Sequence, residues 1–502
     1  MRRSERNALF AIASASAVLR AIGFFHYRFD SDEPQHLHVV WGWTAGLVQY
    51  RDVFDNHTPL FHILSAPLLA ALGERAGILL YMRAAMLPLF AITIASTFFL
   101  GRMLYSARVG AWAATILSLF PTFFLKSLEF RNDNLCVALW SLALVLLVRR
   151  QITLPRAALA GILTGAALAA SIKAVLLMFA LVAAALVVRM SLSRIAALVA
   201  GFAVVPAATI AFFAWHGAVQ ELFYYSFTYN AEAGDREWVW FGRVVFPFAV
   251  MVLVFAAQRR EGVDPLKMFA ALIVLFFLVA VFTLWPLISS RDFLPVMPLV
   301  AIFGVAATDR VRWYAVAAAL SIAAVVYYAD GLRNRTDEHI TMMNQVLRLT
   351  RPGEPLMDHK GETIYRRRPY FYGFETVTRE RLRKGSIADT IPEDVIRARC
   401  YAAQADGAPF PPRGRRFLQE NFLDLGRLRA AGQWIRDDGT FSIAIPGRYV
   451  VVNTDGPVQP PRELTAGTHR FERQNPGERV AVVWASAIER GLTPFHLRDR
   501  DF

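Results

Sequence analysis

The stretch DSDEPQHLHVVWGW, Asp30–Trp43, and its continuation YRDVFDNHTPLFHILSAP, Tyr50–Pro67, decide how this chain is read. They gather Asp30, Asp32, Glu33, Asp52 and Asp55 with His36, His38, His57 and His62 into one loop, directly after the first apolar run. The rest of the first two thirds of the chain is strongly apolar. Ionised groups at an apolar boundary cost free energy unless something supports them. Acids and imidazoles collected just outside a first span therefore point to chemistry there. The loop predicts two short helices lying along a membrane, Glu33–Leu47 and Pro59–Leu72. The second carries Leu60, Phe61, Leu64, Leu68 and Leu69 at helical spacing and is too short to cross. Trp41, Trp43, Phe54 and Phe61 read first as an interfacial aromatic belt and second as a platform for a sugar.

Apolar runs recur on both sides of this loop. The spacing predicts spans at Leu9–Phe25, Ile78–Leu100, Val109–Leu125, Leu135–Val148, Ala157–Ser171, Ala174–Val188, Ile195–Trp215, Gly242–Ala257, Met268–Leu284, Leu294–Ala307 and Trp313–Tyr328, about eleven in all. Arg2, Arg3 and Arg6 place the N-terminus in the cytoplasm, and no small-residue cleavage site precedes the acidic loop, so the first span is read as uncleaved. Arginine clusters at Arg102 and Arg108, Arg149 and Arg150, Arg189 and Arg194, Arg259 and Arg260, and Arg310 and Arg312 fall at the inner turns. The acidic loop is then external, which in a bacterial inner membrane is the periplasm, and so is the segment His216–Trp240.

Composition agrees. The 502 residues are 55% hydrophobic with a net charge of +14, and the mean hydropathy is +0.37. That describes a multi-pass membrane protein whose basic excess faces anionic lipid headgroups. The arginines are scattered and no recognition motif accompanies them, which argues against a nucleic-acid partner. Cys136 sits in an apolar run and Cys400 in the polar tail, so they are not expected to pair. The expected organisation is a transmembrane domain over residues 1–329, with the first outer loop at 26–77, followed by a periplasmic α/β domain over 330–502. That tail carries short strands at Ser442–Ile445, Tyr449–Val452 and Val480–Trp484, and helical pattern at Glu338–Leu349 and Glu393–Ala403.

Five cations fall on the outer side against the positive-inside trend: Arg83, Lys126, Arg131, Lys173 and Arg291. With Asp32 and Glu33 in the loop, and Glu129 and Asp133 in the second outer segment, they suit an anionic lipid head. Ordinary readings stand beside this one. Each cation can touch lipid phosphate or pair with an acid, as Arg131 with Glu129 or Asp133. Asp52 and Asp55 can cap a turn. His36 follows Asp32 by four residues, so the two can share a helix face and a metal, although a satisfied interfacial histidine is the simpler reading. His57 can meet a phosphate or an acid.

The order of features, from the Asp-Glu loop with YRDVFDNHTPL through FRNDN and ASIKA to SRDFLPVMP, resembles the polytopic glycosyltransferases of the protein O-mannosyltransferase and aminoarabinose transferase type, with the GT-C fold. The resemblance covers about Met1–Tyr328. It implies an inverting transfer of a sugar from a polyprenyl-phosphate donor to a lipid, glycan or protein acceptor at the periplasmic face. By position it implies Asp32 as the catalytic acid, Asp133 as the acid of the second outer loop, Lys173 as the lysine of its turn and Arg291 as the basic residue that starts a late span. The residues themselves add Glu33 beside Asp32 as catalytic, Glu129 beside Asp133 as a second acidic site, Arg83, Lys126 and Arg131 beside Lys173 and Arg291 as donor-phosphate ligands, and His36, Asp55 and His57 as candidate substrate or metal contacts. A divalent metal is allowed but not required, because the outer cations can serve instead. Where aminoarabinose transferases carry a lysine before Pro-Pro, this chain has His57-Thr58-Pro59. A transporter or lipid flippase is the alternative, since many spans and intramembrane charges suit it too.

Overall fold

The computed structural model describes residues 2–231, 240–261, 264–285, 288–308, 311–405, 410–473 and 477–495. Arg310 and residues 232–239 of the expected outer segment His216–Trp240 lie outside the described residues. The chain forms two compact units that interleave along the sequence. The first comprises Met1–His36, Asp55–Leu68 and Leu79–Thr336; the second comprises Leu37–Phe54, Leu69–Ile78 and Asp337–Phe502.

The first unit is helical. In chain order the helices begin with α1 (Arg3–His26), α2 (Asp32–Thr44) and α3 (Leu60–Leu72), of which α2 beyond His36 and α3 beyond Leu68 belong to the second unit, and continue with α4 (Ile78–Ala84), α5 (Met86–Leu104), α6 (Ala107–Leu119), α7 (Pro121–Lys126), α8 (Asn132–Leu147), α9 (Leu154–Ala170), α10 (Ala174–Val187) and α11 (Leu192–Trp215). Further apolar helices run over Trp240–Glu261, Pro265–Leu284, Met297–Ala306 and Val311–Tyr328. Among the described residues, five stretches are long and apolar enough to cross a membrane: Arg3–His26, Ile78–Leu104, Leu192–Trp215, Pro265–Leu284 and Val311–Tyr328. Six shorter apolar helices accompany them.

Two expected spans are interrupted, and proline explains both. At Ala85 the span Ile78–Leu104 loses regular helical bonding for one residue while keeping helical φ/ψ, because Pro88 has no N–H to offer the carbonyl of Ala84. The run Val109–Leu125 divides at Phe120, which precedes Pro121 and is held at φ −59°, ψ 122°, outside the helical region. Small residues set the closest packing. A Cβ on Gly161 or Gly201 would run into the carbonyl of Leu198 or Ala158, so α9 and α11 meet backbone to backbone.

The second unit is built on a sheet that, among the described residues, has eight strands. The ordered path is Leu356–Met357, Ala402–Gln404, Leu428–Trp434, Ala481–Trp484, Gly447–Asn453 and Gly456–Pro457, with the first pair parallel and the rest antiparallel. The expected strands lie within one to two residues of Thr440–Ile443, Gly447–Asn453 and Ala481–Trp484. The expected helix Glu393–Ala403 is shorter. It spans Ile391–Arg397, because Arg399 turns at φ +48° and releases Ala402 and Ala403 into a strand. Parts of the first loop belong to this unit. His38 Nδ1 lies 2.7 Å from the Ile364 carbonyl, and Arg366 pairs with Glu74 at 2.9 Å. Gly361, at φ +95°, leaves no room for a side chain, since a Cβ there would stand 2.7 Å from that of His38. Both cysteines are buried and free.

Candidate active site

The acidic loop opens into α2 with Asp32 and Glu33 in its first turn, where the positive end of the helix favours carboxylates. Neighbouring residues on a helix point about 100° apart, given 3.6 residues per turn, and the two acids go to different partners. Glu33 is fully buried and closes on Arg83. Arg83 Nε and Nη2 donate to its two oxygens at 2.8 and 2.5 Å, while Arg83 also donates to the carbonyls of Tyr27 and Arg28. Glu33 in turn accepts the backbone N–H groups of Asp30 and Phe130. It braces two loops.

Asp32 faces a larger network centred on Arg131. That guanidinium is 2% exposed and meets Asp30 at 3.0 Å, Asp32 at 2.8 Å, and Glu129 and Asp133 at 3.6 Å each. Arg291 Nη1 reaches the same Oδ2 of Asp32 at 2.8 Å. Lys126 bonds Glu129 at 2.8 Å and approaches Asp30 at 3.4 Å. Lys173 sits between Asp133 at 3.3 Å and Asp292 at 2.6 Å. The structure thus brings together Asp32, Glu129, Asp133, Lys126, Arg131, Lys173 and Arg291, and sets Glu33 and Arg83 apart as a closed pair.

The motif FRNDN explains how this is held. Arg131 is the hub and Asp133 pairs with Lys173. Between and beside them, Asn132 donates to the Ala170 carbonyl at 2.9 Å, tying the loop to the turn that carries Lys173. Asn134 donates to the carbonyls of Lys126 and Glu129. Asp30, which the sequence reading named among the loop acids without a role, and Asp292, which it did not name, are also members. Asp292 was legible: Ser289 and Asp292 form a capping box, with Asp292 Oδ2 accepting the Ser289 N–H at 2.6 Å, which leaves Oδ1 for Lys173.

Burial and charge act against each other here. Burial pushes the Glu129 carboxyl up to about 7, although Arg131 and Lys126 oppose it. Burial is the largest influence on Asp30 and works to raise it, but Arg131, Lys126 and the Asp32 N–H together outweigh it and hold that carboxyl below its ordinary value. Lys126 ends above its ordinary value because Glu129 and Asp30 overcome desolvation. Of the five cations expected here, Arg291, Lys126 and Lys173 are accessible, with side chains 33%, 19% and 18% exposed.

A second group surrounds Asp55, whose side chain is fully buried. Its Oδ1 lies 2.8 Å from His57 Nδ1 and accepts the Asn56 N–H at 2.9 Å. Its Oδ2 lies 3.4 Å from His62 Nδ1, and His62 Nε2 lies 2.9 Å from His36 Nδ1. Burial holds His36 well below its ordinary value and brings His62 down to about 4, so both are neutral near pH 7. His57 is 28% exposed and is oriented by the carboxylate behind it. His36 therefore pairs with His62 within this group. Among the described residues, no group of three or more His, Cys, Asp or Glu is disposed to hold a metal ion.

No protein-family model and no curated protein matches the sequence. Solved structures do match. ArnT from Cupriavidus metallidurans in the apo state aligns over 85% of this chain and 98% of its own, at 13% identity and a TM-score of 0.59. The same protein bound to undecaprenyl phosphate aligns over 84% and 97%, at 14% identity and a TM-score of 0.58. At such identity the likeness is one of fold, and it runs through both the helical unit and the strand-rich tail. The chain has the fold of the GT-C glycosyltransferases, an α-helical polytopic membrane protein with a strand-rich C-terminal region.

Proposed function

We propose that this protein is a glycosyltransferase that moves a sugar from a polyprenyl-phosphate donor to a lipid, glycan or protein acceptor, with inversion. The helical unit is the transferase domain, in the inner membrane of a bacterium. The acidic loop and the tail are periplasmic and the N-terminus is cytoplasmic. One observation carries the reading: Asp32 is clamped by two guanidinium groups, from Arg131 and Arg291, in a half-buried network of acids and bases built on Arg131. A carboxylate so clamped orients rather than accepts a proton. A donor phosphate changes that, because it competes for the accessible cations Arg291, Lys126 and Lys173. As Arg291 turns to the phosphate, Asp32 keeps Arg131 alone of the two guanidinium groups, and its carboxylate takes the acceptor's proton. The acceptor oxygen bonds the anomeric carbon from the face opposite the phosphate. The bond between carbon and phosphate oxygen breaks with its electron pair going to the phosphate, where the cations meet the growing charge. Glu33 and Arg83 position this machinery without touching the donor. His57, held by Asp55, occupies the edge of the site as a substrate contact. The undecaprenyl phosphate bound by the ArnT of similar fold supports the choice of donor class.

The test is transfer of labelled sugar by purified protein in lipid, with a panel of polyprenyl-phosphate sugars and an envelope extract as acceptor. Transfer is expected with the wild type and a loss of at least about 10²-fold with Asp32→Asn. Full turnover by Asp32→Asn removes Asp32 from the chemistry. Absence of transfer from every donor, with the fold intact, turns the reading to a transporter or flippase. Because the cations supply the neutralising charge, transfer is expected to continue when a chelator is present.

A further inference from the structure

Arg20 lies inside the apolar helix α1, among groups that have no part in the network around Asp32. It is 7% exposed. One guanidinium nitrogen, Nη2, donates to Ser127 Oγ at 3.0 Å, and the group lies flat on Phe90, 3.6 Å from the ring centre, with Phe124 at 4.9 Å. Nε and Nη1 are buried and have no hydrogen-bond partner. No carboxylate pairs with Arg20 among the described residues. A guanidinium carries five N–H donors and keeps its charge, and an unpaired charge inside an apolar environment is costly. Cation–π stacking on Phe90 recovers only part of that cost.

Arg20 is among the residues that line a groove of about 560 Å³ between α1, α5 and α6. Its walls are apolar, with Phe24, Leu87, Phe90 and Ile94, and its polar lining is Arg20 with Ser16, Thr115 and Ser118. Ser16 and Ser118 are already engaged with each other at 3.0 Å. The groove therefore offers one strong anion-binding group and a long apolar wall, a combination matched by a phosphate carried on a hydrocarbon chain.

We infer that this groove is a lipid site in which Arg20 holds the phosphate of an anionic lipid while its chain lies along α1, α5 and α6. Arg20 precedes the end of α1 at His26 by six residues, about 9 Å along the axis at 1.5 Å per residue, and helical side chains lean back toward the N-terminus. The headgroup is thus drawn below the level of that helix end, which separates a captured lipid from one that merely surrounds the protein. Ser127 follows Lys126 in the chain, so an occupant would sit against the loop that carries Lys126, Glu129 and Arg131.

Native mass spectrometry of the full chain, released from nanodiscs of phosphatidylglycerol and phosphatidylcholine, reads lipid retention directly. Wild type is expected to retain at least one phosphatidylglycerol, with retention falling about tenfold in Arg20→Met and largely restored in Arg20→Lys. Ala17→Phe fills the groove from an exposed lining position and leaves Arg20 in place; it is expected to lose the lipid with the fold intact, and it decides the matter if Arg20→Met does not fold. Thermal shifts with added undecaprenyl phosphate, phosphatidylglycerol and inorganic phosphate identify the source. A shift with both lipids means that any lipid phosphate is accepted, and a shift with only one names it. Equal retention in wild type, Arg20→Met and Ala17→Phe, no preference for phosphatidylglycerol over phosphatidylcholine, or an equal response to inorganic phosphate would overturn the inference and leave Arg20 a structural cation.

Discussion

Glu33 and Arg83 give the sharpest test of how the acidic loop works. Both side chains are fully buried, and each is surrounded by groups chosen for its charge. Glu33→Gln keeps the shape of the side chain but removes its charge. Arg83 then remains in the interior with its backbone acceptors, Tyr27 and Arg28, and no anion. Two charge-assisted bonds weaken, each worth about 1.5–3 kcal/mol, which agrees with the about 3–5 kcal/mol measured when one partner of a buried pair is removed. The folded fraction should fall by between about 10² and about 4 × 10³-fold relative to the unfolded one, since about 1.4 kcal/mol is a factor of ten. Arg83→Met should cost a similar amount. The double variant, which leaves no unpaired charge, should be less damaged than the sum of the two by about 2 kcal/mol or more. The assay is unfolding in mixed micelles under rising denaturing detergent, followed by tryptophan fluorescence, with transfer measured well below the midpoint. Molecules of Glu33→Gln that remain folded should retain much of their turnover. Wild-type stability with turnover abolished would refute this reasoning and place Glu33 in the chemistry.

Other predictions follow from the same geometry. Glu129 holds a proton up to about 7 in the folded protein and releases it near its ordinary value of 4.5 when unfolded. Across that window the folded state binds more protons, so stability should fall as pH rises; Glu129→Gln should remove this slope, gaining on wild type between about pH 5 and about pH 8 in thermal midpoints. Arg291→Ala should lower kcat/KM by about 10²-fold with little change in the unfolding midpoint, because its side chain is one-third exposed. Gly161→Leu should force α9 from α11 and cost about 3 kcal/mol or more in the detergent titration.

The sequence alone determined the membrane class, the places of most helices, and the segments that carry the candidate site. Apolar runs and arginine-rich turns are local features, and burial against lipid needs no particular neighbour. The strands at Gly447–Asn453 and Ala481–Trp484 were legible for a related reason, since a buried strand shows as a short apolar run. Pairing was not legible. Asp32 and Glu33 are adjacent, so a sequence reading treats them alike; the helix turns them to different sides, where one meets Arg131 and Arg291 and the other meets Arg83. Asp292 and Lys173 are far apart in the chain and bond only because the fold brings their turns together. The first loop likewise reads as one segment, yet His38 and Glu74 pack with the tail while His36 and Asp55 pack with the helices. Local pattern sets hydrophobicity and helix period over a few residues. Which charge neutralises which depends on distances between segments that only the tertiary structure decides.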